Sequence, residues 1–292
     1  MTKRALLFVN RHARQGKTSL AQAVDALHDL DFDLITISSK RSEQLSEIIW
    51  QHRNDVDLVI IGGGDGTLNR IVDVLLETQL PLGILPLGTA NDLARTLSLP
   101  LTIPAACQAI AANNIRYIDL GCVNGKHFFN VASLGLSVGI TRRLSAGAKQ
   151  RWGVLAYAVT AMQVISQTRP FHAEIRANGE SISVKTLQIA VGNGRYYGGG
   201  LAVASDAAID DQRLDLYSLE VQRWWQMIPL LLTMRRGEHA TLPWVRGIQA
   251  QAIEIYTRKP HDINTDGELT SETPATFRVV PKALAVLAPQ NG

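Results

Sequence analysis

Cysteine is scarce: the 292 residues hold two, Cys107 and Cys122. They are too far apart for a CxxC motif and have no histidine partners at zinc spacing, so neither chemistry has support. Buried free thiols in a reducing cytosol are the expectation. Long apolar runs are missing too. The stretch from Met227 to Met234 falls well short of a membrane span and is interrupted by Pro229. Lys3-Arg4 ahead of Ala5 to Val9 starts like a signal peptide, but the apolar run is short and ends at Asn10-Arg11-His12. A soluble, cytoplasmic chain that touches a membrane surface transiently is expected. There is no HExxH and no GxSxG, hence nothing that argues for hydrolase chemistry. Internal repeats and low-complexity linkers are absent.

What is present describes an ordinary globular protein, with 46% hydrophobic and 19% charged residues. The length suits two domains. A net charge of +3 is mildly basic and suits an anionic ligand or membrane surface without requiring one.

Through residue 120 the apolar pattern alternates between two periods. Ala5 to Val9, Leu34 to Ile37, Leu58 to Ile61 and Leu82 to Leu85 are short continuous runs, as in strands buried on both faces. Between them helical spacing appears at Leu20, Val24 and Leu27, with Ser19 as cap, then at Leu45, Ile48 and Ile49. It returns at Leu68, Ile71, Val72 and Leu75, and another helix starts at Asp92 to Leu97. Such alternation predicts a doubly wound parallel α/β sheet. From Tyr117 strands dominate: Tyr117 to Val123, Lys126 to Ala132, Ala173 to Ala177, Ser183 to Val191, Arg213 to Leu219 and Ile253 to Thr257. Asn124-Gly125 and Asn178-Gly179 are hairpin turns. Helices are expected near Gly153 to Ser166 and Trp224 to Arg236. The second half therefore reads as mostly antiparallel β, and the last strand, Phe277 to Leu287, can belong to either half.

The main chemical signal is Gly62-Gly63-Gly64-Asp65-Gly66-Thr67-Leu68-Asn69, directly between a strand and a helix. Glycines let backbone approach a phosphate, and a helix start offers unpaired N–H groups. The pattern is neither GxGxxG nor a P-loop. Asp65 would repel bare phosphate, so it implies a bridging cation or a donor beside it; the plainer alternative is that it caps its own helix. Pro86-Leu87-Gly88-Thr89-Ala90-Asn91-Asp92 follows the next strand, which puts both loops at the carboxyl edge of the sheet, where such folds bind ligands. The loop from Asn10 to Thr18 faces the same crevice and carries Arg11, Arg14 and Lys17, although Arg11 breaks the P-loop pattern. Asp206, Asp210, Asp211 and Asp215 cluster around a turn, either as surface acids or as cation ligands. Asp262, Asp266 and Glu268 form a second acidic group in which Glu268 is a candidate base. Arg142, Arg143, Lys149, Arg151 and Trp152, and Trp224, Trp225, Arg235 and Arg236, mix cations with aromatics in the manner of interfacial helices or of core helices with solvated ends.

Taken together, GGGDGTLN at Gly62 to Asn69 and PLGTANDLA at Pro86 to Ala94 closely resemble the diacylglycerol-kinase catalytic family, particularly its bacterial YegS-type lipid kinases. The resemblance continues through Gly192-Asn193-Gly194, Gly198-Gly199-Gly200 and Asp266-Gly267-Glu268, spanning essentially the whole chain in order. It implies a nucleotide-binding α/β domain, similar to that of NAD kinases and phosphofructokinases, over residues 1–120 with a return at 277–292. A β-sandwich lipid-binding domain would occupy 121–276. By the same resemblance, ATP would be surrounded by Asn10-Arg11-His12-Ala13-Arg14, Ser38 or Ser39, Gly64-Asp65-Gly66-Thr67-Leu68-Asn69-Arg70 and Thr89. Asp65 would orient the magnesium nucleotide, Glu268 would deprotonate the lipid hydroxyl, and Asp211, with carbonyls of Ala208 and Arg213, would hold a structural Mg2+. The lipid would enter between the domains with its tails near the membrane. The implied partners are a lipid substrate and a membrane touched peripherally, with no nucleic acid; a homodimer is left open.

Four positions depart from the family pattern. Arg11 stands for proline, Arg70 for glutamate, Gln212 for the glycine after Asp211, and Ser205 for an upstream proline. The first two bear on nucleotide affinity and the third on the turn at the structural cation. A lipid kinase acting on diacylglycerol or a phosphatidylglycerol-like lipid leads. An NAD-kinase-like enzyme with a soluble substrate, and a sensor that binds lipid or nucleotide without turnover, are the alternatives.

Overall fold

A computed structural model describes residues 2–10, 16–37, 43–139, 168–221, 226–234 and 236–289, with 16, 17, 227, 228, 231 and 232 described by backbone alone. The expected helix near Gly153 to Ser166, the cluster from Arg142 to Trp152, and Trp224, Trp225 and Arg235 lie outside the described residues. Two compact units divide the chain. One holds Met1–Leu120, Gly198–Gly200 and Val280–Gly292; the other holds Gly121–Tyr197 and Leu201–Val279.

In the first unit, β1 (Lys3–Val9), β2 (Phe32–Ile37), β3 (Leu58–Gly63) and β4 (Leu82–Pro86) pair in parallel in the order β2-β1-β3-β4. The end of β18 (Ala275–Leu287) adds a parallel neighbour to β4 at Val286 and Leu82. Residues 5–9 of β1 are all buried, which is why the run shows no alternation. Leu7 and Val9 share a core with Ala23 and Leu27 of α1 (Gly16–His28) and Ile103 and Ile110 of α6 (Ile103–Ala111). Of the remaining helices, α2 (Leu45–Gln51) packs on α4 (Val72–Thr78).

Two local readings change. Ser19 is buried inside α1, which starts three residues earlier, so it does not cap that helix. Leu68, Ile71, Val72 and Leu75 are all buried, but the expected helix breaks at Arg70 and Ile71 into two short ones, α3 (Asp65–Asn69) and α4. Neither α3 nor the five-residue α5 (Asp92–Thr96) has the length to sum a large dipole.

The second unit is a sandwich. One sheet runs from the start of β18 through β15 (Ala252–Thr257) and β8 (Phe171–Ala177) to β9 (Glu180–Thr186). The end of β5 (Ile115–Val123) forms a hairpin with β6 (Lys126–Phe128). The other sheet includes β7 (Val131–Gly135), β10 (Gln188–Gly192), β13 (Leu214–Leu219), β14 (Val245–Ala250), β16 (Asp262–Thr265) and β17 (Glu268–Glu272). Side chains of both sheets, such as Ile175 and Phe277 against Leu134 and Leu216, share one core. The short pair β11 (Tyr196–Tyr197) and β12 (Leu201–Ala202) stands apart from both.

Asn124-Gly125 and Asn178-Gly179 have left-handed φ values of 48° and 83°, and 54° and 81°, as type I′ hairpins require. The expected continuous strands Lys126 to Ala132 and Ser183 to Val191 each split. At Phe129-Asn130 and at Leu187 the chain leaves one sheet for the other. Alternation continues through such a corner, so spacing cannot show it.

Beside this core, α7 (Met227–Met234) and a short 3-10 turn, His239–Thr241, cover Tyr217. The His239 ring meets Tyr217 edge-on at 4.7 Å, is fully buried, and has no hydrogen-bond partner on either nitrogen. Burial pushes its pKa down to about 4. Between pH 6.5 and about 4 the unfolded chain therefore binds a proton that the fold excludes, costing roughly 1.4 kcal/mol per pH unit. We expect His239→Phe to flatten this acid limb. In urea titrations at pH 7 and pH 4.5, the parent should lose about 2 to 3 kcal/mol more than the variant. Equal losses would show that His239 is not the group involved.

Candidate functional site

In the first unit, Asn10 at the end of β1 meets the loops that follow β3 and β4. The Asn10 N–H donates to the Gly62 carbonyl at 2.8 Å, and the Leu87 N–H to the Gly63 carbonyl at 3.0 Å. A Cβ on Gly64 would lie 2.9 Å from the Gly88 Cα, and one on Gly88 would lie 2.4 Å from the Gly64 Cα. The two loops touch backbone to backbone, and any side chain at either point would separate them. Above Gly66 a Cβ meets nothing within 4 Å, so this part of the loop faces open space.

Asp65 does not cap its own helix. Its carboxylate accepts the N–H groups of Asp92 and Leu93 at 3.1 and 3.0 Å, capping α5 from the neighbouring loop. Asn91, left-handed at φ 52°, closes the same loop by accepting the Gly88 N–H at 2.8 Å and donating to the Gly88 carbonyl at 3.0 Å. Asp92 is buried, and both its oxygens accept the Gly199 N–H, at 3.0 and 3.2 Å. Burial raises its pKa, the Gly199 N–H opposes that, and the Asp65 charge adds to it. This link to Gly199 had no local signal in the sequence.

The structure gathers Asn10, Gly64 to Arg70 and Thr89 in one place. Asn10 Nδ2 donates to Thr67 Oγ1 at 3.5 Å. Thr89 and Arg70 are exposed, and the Arg70 carbonyl accepts the Ser46 hydroxyl at 3.2 Å. Leu68 is a core residue, so only its backbone can serve a ligand. Asn69 Oδ1 is buried without a hydrogen-bond partner, an acceptor that a ligand donor or a cation would satisfy. Arg11, His12, Ala13, Arg14 and Ser38 lie outside the described residues. With α3 this short, open glycine backbone rather than a helix dipole is the feature that fits phosphate.

In the second unit, Glu268 opens β17 directly after the left-handed turn Asp266-Gly267, φ 48° and 98°. The Asp266 carboxylate accepts three backbone N–H groups, from Phe129 at 2.7 Å and from Asn130 and Val131 at 3.0 Å. Asn193 Nδ2 donates to the Phe129 carbonyl at 2.9 Å. Asn193-Gly194 and Asp266-Gly267-Glu268, distant in sequence, therefore grip the same sheet-switching corner. Asp266 is the anchor here, a role that spacing alone did not suggest.

Elsewhere in that unit, Asp211 accepts the N–H groups of Ala208 and Arg213 at 3.3 and 3.2 Å, and its Oδ2 lies 3.0 Å from Arg213 Nε. Gln212 takes φ 60° where the family pattern has glycine, so the left-handed turn is kept with a side chain in place.

Two stability measurements follow from this geometry. Asp65→Ala leaves two N–H groups of α5 without acceptors and should cost about 1 to 2 kcal/mol in denaturant unfolding; an unchanged midpoint would remove the capping role. Gln212→Gly relieves the left-handed side chain against added chain entropy, and should stabilise by roughly 0.5 to 1 kcal/mol. A loss of stability would mean that the glutamine side chain contributes more than its strain costs.

Residues 4–123 match the diacylglycerol kinase catalytic domain, and 130–288 match the YegS C-terminal NAD kinase beta sandwich-like domain. The chain is 37% identical to "Probable lipid kinase YegS-like" of Yersinia enterocolitica over 81% of its own length and 80% of the relative's. It is 30% identical to "Diacylglycerol kinase" of Bacillus subtilis, covering 81% and 79%. The solved structure of a diacylglycerol kinase from Bacillus anthracis superposes with a TM-score of 0.75 at 22% identity, over 98% of this chain and 97% of that one. The chain belongs to the diacylglycerol kinase catalytic domain family, among its YegS-like members.

Proposed function

We propose that this protein is an ATP-dependent lipid kinase that transfers the γ-phosphoryl group to a hydroxyl of diacylglycerol or a phosphatidylglycerol-like lipid. The observation that carries the reading is the loop pair joined at Gly64 and Gly88 and latched by Asp65, within a chain of this family. Open glycine backbone over Gly66, with Asn10, Thr67 and Thr89 around it, suits the phosphates of a nucleotide. Magnesium bound with the nucleotide would neutralise charge between the β- and γ-phosphates. Asp65, fixed by the helix it caps, would orient that nucleotide. Arg70, exposed on the way out of α3, adds a positive charge beside the loop.

The Glu268 carboxylate accepts the proton of the attacking lipid hydroxyl. The new bond joins that oxygen to the γ-phosphorus, the bond to the bridging β,γ-oxygen breaks, and ADP leaves with the electron pair. Positioning supplies most of the acceleration and the base a smaller part. Among the described residues no helix is long and apolar enough to cross a membrane. In this reading the lipid is met at the bilayer surface, by peripheral contact.

Labelled ATP with magnesium and a total lipid extract should give a phosphorylated product that partitions into organic solvent. Label confined to water-soluble product would replace this reading with the soluble-substrate kinase, and no transfer would favour the sensor. Glu268→Gln should lower turnover by about 10²-fold or more while nucleotide binding is retained; a normal rate would remove Glu268 from the mechanism.

A further inference from the structure

The turn ahead of β13 and the start of that strand concentrate negative charge from Asp206, Asp211 and Asp215. One cation of the chain itself lies among them. Arg213 Nη2 donates to Asp206 Oδ2 at 2.9 Å and to the Asp206 carbonyl at 3.3 Å. Arg213 Nε stands 3.0 Å from Asp211 Oδ2 as an ion pair without hydrogen-bond alignment. The two Asp211 oxygens already accept backbone N–H groups from Arg213 and Ala208. Asp215 is buried; its Oδ1 accepts from Gln249 Nε2 at 2.8 Å, and the same amide donates to Asp206 at 3.3 Å. Among the described residues no three His, Cys, Asp or Glu side chains are grouped to hold a metal ion.

We infer that the Arg213 guanidinium is the resident counter-ion of this acidic turn, and that the turn takes no divalent cation. The donor set does not fit the structural Mg2+ that the family resemblance implies at Asp211, Ala208 and Arg213. A divalent ion at Asp211 would sit within a few ångströms of a guanidinium that is always protonated, and like charges at that range repel strongly. The Ala208 and Arg213 N–H groups also point their positive ends at the carboxylate that would have to bind the ion. Arg213 reaches two carboxylates with one planar head, whereas magnesium demands near-octahedral oxygen ligands. The inference concerns the sandwich alone and stands whether or not the chain phosphorylates a lipid.

The test is thermal unfolding of the full, nucleotide-free chain after chelation, with and without millimolar MgCl2 at constant ionic strength. The parent and Arg213→Lys should unfold at the same temperature in both. Arg213→Met should unfold several degrees lower than the parent in both conditions, with no recovery in magnesium. In parallel, the free Mn2+ signal in electron paramagnetic resonance counts bound cations on the parent, with none expected at micromolar Mn2+. One saturable Mn2+ per parent chain that disappears in Asp211→Asn would overturn the inference. So would an Arg213→Met chain that unfolds like the parent in both conditions. If Arg213→Met does not fold, the Mn2+ count on the parent decides alone.

Discussion

Gly64 and Gly88 have no side chains, and each stands where a single carbon would push the other away. That contact lets two loops, each at the end of its own parallel strand, act as one surface. It also brings Asp65 within reach of the first N–H groups of α5, so a carboxylate from one loop completes a helix in the next. Asn91 and Asp92 extend the arrangement, the first closing its own loop and the second accepting from Gly199. Loosening the glycine contact would therefore disturb the cap, the helix start and the Gly199 turn together.

A common economy runs through both units. Acidic side chains that look catalytic on paper serve first as acceptors for backbone N–H groups. Asp65 takes two, Asp266 takes three, and Asp211 takes two beside an arginine. Each holds a loop that no regular ladder holds, so a mutation that silences one of them removes structure along with charge. Activity loss alone cannot assign chemistry to such residues, and readouts of binding and stability have to accompany it.

Much of the architecture was legible in the sequence, for identifiable reasons. β1, β3 and β4 are buried on both faces, which turns them into short apolar words between helical spacing. Asn-Gly turns announced the two hairpins because few other pairs accept left-handed backbone twice in succession. The corners at Phe129-Asn130 and Leu187 were not legible, since side chains keep alternating while the strand changes partners. Nor was the role of Asp65, whose partners lie 27 and 28 residues away. The candidate phosphate loops could be named from composition and order alone. Which carboxylate does what depended on contacts far apart in sequence, except at Arg213, where a basic residue set among aspartates was a local sign.

β18 carries one further consequence. Its first residues pair with β15 in the sandwich, and a later one, Val286, pairs with β4 in the parallel sheet of the other unit. It is also the last of the described strands that a ribosome makes. While the preceding residues emerge, β4 and β15 each keep one bare edge of unpaired N–H and carbonyl groups, the kind of edge that recruits foreign strands. Neither unit can complete its sheet before β18 has left the exit tunnel, so the aggregation risk of those two edges lasts at least that long.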